Sequence, residues 1–248
     1  MSAPEFSPPD AIVWGWRKFT QFLGPVMIGV AIYIACNAPF TLVTTGLDIA
    51  AESSPDNVAL QLIDGIGGLV LQIVSTIGGW ILVGAAVRAS LDVADGRQYD
   101  FLSAIRRIPI GKLIVLPLLI GLVAVVALAL VGGVGFLAGY FLHVPIWILA
   151  VLGALILIPS ALAAGVFLYF ARWVLVDEPT TGIVDAIGMS IRLARANLGN
   201  TVLLALLNAL VMIGGLLACC IGLIVAFPVT MFATASAYRT FRGQPVAP

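Results

Sequence analysis

Six long apolar runs alternate with short polar stretches along the chain: Leu23–Thr45, Leu62–Val87, Leu113–Ala138, Ile146–Phe170, Thr201–Leu217 and Cys220–Tyr238. A run of about 20 apolar residues covers the hydrocarbon core of a bilayer as a helix. Lipid gives an open backbone no hydrogen-bond partner, so such runs are helices rather than strands. The pattern predicts an all-α polytopic membrane protein, six transmembrane helices in three hairpins. The whole chain, residues 1–248, reads as a single integral membrane domain. Residues 1–10 form a flexible lead and residues 239–248 a short polar tail. The closing pair is the tightest fit: Thr201–Tyr238 is long for one helix and short for two, with Gly214, Gly215 and Gly222 as places to turn.

Three polar segments carry the helical period instead. In Ala11–Phe22 the apolar stripe is Ile12, Trp16, Phe19 and Leu23. In Phe101–Ile108 it is Phe101, Leu102, Ile105 and Ile108, and in Gly182–Leu198 it is Ile183, Ile187, Ile191, Ala194 and Leu198. Each segment precedes an odd-numbered run. The chain therefore reads as three units, each an interfacial helix at the inner leaflet followed by a hairpin. The stretch from Asp10 to Gly24 aligns without gaps on Asp185 to Gly199, with identities at Asp10/Asp185, Ala11/Ala186, Ile12/Ile187, Arg17/Arg192, Leu23/Leu198 and Gly24/Gly199. Common descent and shared amphipathic demands both account for such a match. The middle unit aligns poorly.

Charge orients the scheme. The chain is 61% hydrophobic and 10% charged, against roughly a quarter charged in a soluble domain. With six spans and a cytoplasmic N-terminus, all 12 Lys and Arg residues fall on the cytoplasmic side, as basic flanks do. The outer loops hold Asp48, Glu52, Asp56 and Asp64 and no base. A single closing helix would instead put Arg239 and Arg242 outside. Trp14, Trp16, Arg17 and Lys18 are the expected interfacial anchors, facing anionic lipids of the inner leaflet rather than nucleic acid. The first ten residues carry two acids and no base, so no signal peptide is expected.

Candidate chemistry is sparse. An ionisable residue at the centre of a span marks function by default, and none lies at a span centre here. Asn37, Gln72 and Asn208 are the polar residues inside the runs; they make either a shared polar site or ordinary interhelical hydrogen bonds. Pro159 and Pro228, with Pro39 and Pro117, predict kinks or hinges. Gly135-x-x-x-Gly139 and Ser75-x-x-x-Gly79 fit close helix contacts. No Walker loop, HExxH or GxSxG occurs, and Asp95-Gly96-Arg97 reads as a turn. No Cys and His set has zinc spacing; Cys36, Cys219 and Cys220 read as small packing residues. Neither a catalytic residue, a metal nor a cofactor is expected.

Arg172-WVLVDEPTTGIVDAIGMSIRLARANLG and the Gly215–Ala247 stretch resemble a broad group of bacterial, often actinobacterial, multi-pass membrane proteins. That group is similar to the membrane domain sometimes fused to glycerophosphodiester phosphodiesterases. The matching features are Ile158-Pro159-Ser160 in a span, the Val-Asp-Glu stretch ending at Glu178, the Ala186-x-x-x-Ser190 helix and the Tyr238-Arg239 tail, with Gly15-Trp16-Arg17-Lys18-Phe19 near the start. The resemblance implies a bacterial inner-membrane location and a link to lipid or envelope biology. It implies no reaction, because the phosphodiesterase domain is absent from this sequence. The expected function is non-enzymatic, in lipid or envelope organisation or as a membrane-embedded partner of another protein. The alternative is transport of a lipid or small apolar solute.

Overall fold

The computed structural model of the chain describes residues 6–54, 56–218 and 221–248. Among these residues the chain is helical and has no strand. α1 (Pro8–Gln21) opens on proline, whose missing N–H is no loss in the first turn. α2 (Leu23–Ser53) follows after one residue. α3 (Val58–Leu62) passes through a π-helical turn at Ile63–Gly67 into α4 (Gly68–Ala94), so Val58–Ala94 is one rod. Then come α5 (Phe101–Arg107), α6 (Ile110–Leu142), α7 (Ile146–Phe167), α8 (Ala171–Asp177), α9 (Ile183–Ala196), α10 (Leu198–Leu217) and α11 (Ile221–Phe241).

Among the described residues, five stretches are long and apolar enough to cross a membrane: Leu23–Ser53, Val58–Ala94, Ile110–Phe141, Trp147–Asp177 and Leu198–Leu217. The sixth expected span, Cys220–Tyr238, falls on α11, which is not one of these five. α11 is enclosed instead, burying Ala226, Val229, Phe232, Ala233, Ala235 and Ala237. Cys219 and Cys220, expected as packing residues, lie outside the described residues. So do residues 1–5 of the expected lead; Pro8–Asp10 form the first turn of α1 rather than a flexible arm.

The long helices pack in neighbouring pairs, α2 with α4, α6 with α7 and α10 with α11. Each amphipathic helix lies on the second helix of the pair before it or its continuation: α5 on α4, α9 on α8, which continues α7, and, closing the cycle, α1 on α11. α4 touches both α8 and α11, so the second helices meet at the centre. The weak repeat has a structural counterpart. α1 and α9 are both 14 residues long and both start two residues before the aligned aspartates Asp10 and Asp185. Their long helices begin at the aligned Leu23 and Leu198. Ala11, Gly15 and Phe19 are buried on α1, and the aligned Ala186, Ser190 and Ala194 are buried on α9.

These buried faces overlap the expected stripes at Phe19, Phe101, Ile108 and Ala194 and differ from them elsewhere. On α1 the contact face is Ala11, Gly15, Lys18 and Phe19, whereas Trp16 is 53% exposed and Leu23 48% exposed. A Cβ on Gly15 would stand 2.6 Å from the Val229 carbonyl oxygen and 3.0 Å from the Ala233 nitrogen, so only glycine lets α1 come this close to α11. On α5 the buried residues are Phe101 and Ala104, while Leu102 faces outward. The reason is common to all three helices. Against lipid a large apolar side chain gains nothing by turning inward, and small residues let backbones approach.

The fourth expected span, Ile146–Phe170, breaks between α7 and α8 at Leu168–Phe170 rather than at Pro159, which lies within the unbroken α7. Ser190 of α9 repairs the break: its hydroxyl donates to the Phe167 carbonyl (2.7 Å) and accepts from the Phe170 N–H (3.1 Å). Pro228 likewise sits inside a continuous α11. Gly215 and Gly222, expected as turn positions, instead form the closest crossing of α10 and α11, where a Cβ on Gly222 would stand 2.6 Å from the Gly215 carbonyl oxygen.

Candidate functional site

The centre of the bundle closes at one end, where α4, α8 and α11 terminate. α4 ends in a Schellman cap: Gly96 has φ +80°, its N–H donates to Val93 O, and the Arg97 N–H reaches back to Asp92 O. α11 ends the same way, with Gly243 at φ +70° donating to Thr240 O and Gln244 reaching Arg239 O. Superposing the two caps by their glycines matches Asp92 to Arg239 and Asp95 to Arg242. The same positions thus carry acid on one helix and base on the other.

The opposite charges bind. Arg239, only 4% exposed, donates to Asp177 of α8 (2.8 Å) and to Asp95 beside α4 (2.9 Å). Arg242 donates to Asp177 (3.0 Å) and Glu178 (2.6 Å), and the Tyr238 hydroxyl also donates to Asp177 (3.2 Å). Burial works against the charge of Arg242, yet its bonds to Glu178 and Tyr238 hold its pKa above the ordinary value. Asp92, 1% exposed, accepts from Arg88 (3.1 Å), Arg97 (2.7 Å) and Arg107 (2.6 Å). Four carboxylates and five arginines therefore lock the ends of three helices together.

A strap crosses this lock. The residues after α11 turn back so that the Ala247 N–H donates to Ala94 O (2.9 Å), and the Trp14 indole donates to Ala247 O (3.0 Å). Lys18 donates to the Pro248 carbonyl and to Gln21. Burial first, and then the neighbouring Arg17, lowers the pKa of its ammonium. Of the four expected anchors, Trp14 and Lys18 are thus turned into the protein, because the strap supplies acceptors that lipid tails lack. Trp16 and Arg17 face outward.

Next to the lock, a crevice of about 310 Å³ lies between α2, α4 and α11. Its sides are apolar, with Val26, Leu82, Ile224, Phe227 and Met231 among them. Its base is set by Tyr99 and Phe101, which pack against Gly29 of α2, and Ser90 also lines it. Tyr99 is buried, which raises the pKa of its phenol and keeps it protonated. Pro228 lines the crevice as well, and having no N–H it leaves the Ile224 carbonyl without its helical donor. The volume is at the lower end for small-molecule sites, and no charged side chain lines it.

The three polar residues expected inside the spans do not meet in this crevice and have separate partners. Asn37 of α2 bonds Tyr33 O and accepts from Ser75 of α4 (3.1 Å). Gln72 bonds Thr76 within its own helix. Asn208 of α10 bonds the Tyr169 hydroxyl (2.7 Å) and Thr234 of α11 (3.0 Å). Sequence reasoning missed the lock, whose signal is present in the spacing: Asp92-x-x-Asp95-Gly96 and Arg239-x-x-Arg242-Gly243 are one pattern with the charges exchanged. Among the described residues no group of His, Cys, Asp or Glu is placed to hold a metal ion.

An uncharacterized protein of Mycobacterium bovis is 28% identical to the chain over 260 residues, covering 97% of the chain and 70% of the relative. Uncharacterized proteins from two strains of Mycobacterium tuberculosis match over the same shares at 28% and 27% identity. No family model matches the chain, and no solved structure matches it. The mycobacterial relatives and the apolar helices fit a membrane protein. The likeness to the membrane domain of glycerophosphodiester phosphodiesterases finds no support in these comparisons.

Proposed function

We propose that the chain is a non-enzymatic lipid-binding protein of a bacterial inner membrane, holding the apolar chain of a lipid in the crevice between α2, α4 and α11. The observation that carries this reading is the crevice itself: about 310 Å³, apolar along its sides, with the hydroxyls of Ser90 and Tyr99 and no charge at its polar end. Such a lining suits a hydrocarbon tail and a neutral or weakly polar head. The reading extends to six spans in three hairpins, with α11 as the sixth, and to both polar ends of the chain in the cytoplasm. The basic asymmetry of the flanks supports that orientation.

The test is purification in mild detergent followed by lipid extraction and mass spectrometry. One lipid class should co-purify near stoichiometrically and be lost from Val30→Trp, which fills the crevice from α2. An unchanged lipid profile in that variant would sink the reading. Reporter fusions after Ser53 and Gly243 should read periplasmic and cytoplasmic respectively; a periplasmic Gly243 fusion would remove α11 as a span. A second reading, passage of a lipid or small apolar solute, draws on Pro228, which lines the crevice and lacks the N–H that would bond the Ile224 carbonyl. Gradient-independent lipid movement in proteoliposomes would favour it.

A further inference from the structure

The arginines of this chain divide into three kinds. Arg88, Arg97, Arg107, Arg239 and Arg242 are paired in the lock. Arg17, Arg106, Arg192 and Arg195 are exposed, where water or headgroups solvate them. Arg172 is neither. Partly buried at the start of α8, it has no ion-pair or hydrogen-bond partner among the described residues. It lines a second cavity, of about 220 Å³, between α4, α6, α8 and α11. The other walls are apolar, with Val87, Leu116, Ile120 and Met231 among them.

A guanidinium partly withdrawn from water and without an ion-pair partner is less favourable than a paired one, and a bound anion offsets that cost. The planar fork of arginine matches the paired oxygens of a phosphate group. The depth is also right. Arg172 stands on the same short helix as Asp177, which belongs to the lock, so it lies near the polar end of the bundle, while Leu116 and Ile120 continue along α6 towards its apolar middle. A phosphate on the guanidinium leaves an attached hydrocarbon chain against those α6 side chains.

We propose that Arg172 and this cavity bind a phosphate-bearing anion, with the guanidinium taking the phosphate oxygens. The cavity shares Met231 with the α2–α4–α11 crevice, but α6 and α8 line only the cavity and α2 only the crevice, so the two sites are tested by different substitutions. Two sources carry the required group, a phospholipid and a free phosphate compound. The experiment is native mass spectrometry of the full chain in detergent, titrated in one arm with phosphatidylglycerol against diacylglycerol of the same chains. In the other arm inorganic phosphate is titrated and followed calorimetrically. Wild type should retain phosphatidylglycerol and not diacylglycerol. Arg172→Gln should lose that retention at least about tenfold, as expected for a hydrogen bond to a charged group, and Arg172→Lys should keep part of it. Ile120→Trp, which fills the cavity and leaves the cation intact, should lose the lipid too and guards against misfolding of the Gln variant. Retention in the first arm assigns the source as lipid; binding of inorganic phosphate alone assigns it as a free anion, and either supports the site. Equal binding by wild type, Arg172→Gln and Ile120→Trp in both arms overturns it.

Discussion

One helix shows two ways of being in a membrane protein. From Leu82 to Ala94, α4 buries Leu82, Gly84, Ala85, Ala86, Val87 and every residue from Ala89 onward. From Gly68 to Ile81 it buries none. The composition of the two halves is similarly apolar, so hydrophobicity does not explain the difference. In the packed half, small residues let α5, α8 and α11 approach, and the Asp92 and Asp95 carboxylates demand partners. The open half has small residues too, Gly68, Ser75, Gly78 and Gly79, but no charged side chain, and lipid serves there as well as protein. Apolar contact alone gives helices in a bilayer no reason to associate; close packing and polar pairing do.

The largest expected break in this contrast comes from the lock. Arg239→Gln leaves Asp95 with only its longer contact to the exposed Arg97 (3.3 Å) and Asp177 with fewer partners, and should cost about 3 kcal/mol. Arg106→Gln, at an exposed arginine, should cost less than about 0.5 kcal/mol. Reversible unfolding in mixed micelles measures both, and equal losses would remove the lock as the source of stability. Next comes the crossing of α1 and α11: Gly15→Val should cost about 2 kcal/mol by overpacking. Gly132→Val on α6, where a Cβ meets nothing within 4 Å, should be close to neutral. Similar values at the two glycines would erase the distinction between packed and open regions.

A finer comparison sets Asn208 against Asn37. Asn208→Leu removes a buried bond to both Tyr169 and Thr234 and should cost about 1.5 kcal/mol; Asn37→Leu, at a partly exposed pair, should cost about 0.6 kcal/mol or less. A reversed order would place the stronger polar contact in the open half. The smallest effect concerns pH. Asp100 caps α5 by accepting from the Ser103 N–H (3.1 Å), and this bond lowers its pKa. A carboxyl with a lowered folded pKa adds stability above its unfolded value of about 4, and that stability is lost as pH falls through the lowered folded value. Amide protection of α5, corrected for intrinsic exchange, should therefore fall on acidification below about pH 4 in wild type. It should change less in Asp100→Asn, which caps without titrating.

Helix positions were legible because length and periodicity dictate them: α1, α5 and α9 lie within a few residues of the expected Ala11–Phe22, Phe101–Ile108 and Gly182–Leu198. Their contact faces were legible only in part. Reading each stripe as the face of an interfacial helix turned to the acyl chains fits the exposed Trp16 and Leu102, whereas Phe19, Phe101 and Ala194 of the same stripes are buried in the protein. The better guide was Ala11 with Gly15, and Ala186 with Ser190 and Ala194, small residues four apart. Of the two readings of the intramembrane polar residues, Asn37 and Asn208 take the interhelical hydrogen bonds. Asn37, Gln72 and Asn208 stood out as polar within apolar runs, but each found a local or neighbouring partner. The arginines and aspartates of the lock sat in what read as loops and flanks, so nothing in local sequence joined Asp95 or Asp177 to Arg239. Only the repeated spacing before Gly96 and Gly243 hinted at it.

The seating of α1 on α11 sets an order of assembly. Trp14 and Ala247, which hydrogen-bond across that contact, are 233 residues apart. Ribosomes add roughly 5–20 residues per second, so α1 precedes its partner by tens of seconds. During that interval the glycine notch at Gly15 has no helix to receive, and Asp95 and Asp177 have no Arg239. The half-made bundle must wait with its amphipathic first helix resting elsewhere, and the arrival of α11 fills the notch and neutralises the acids in a single event.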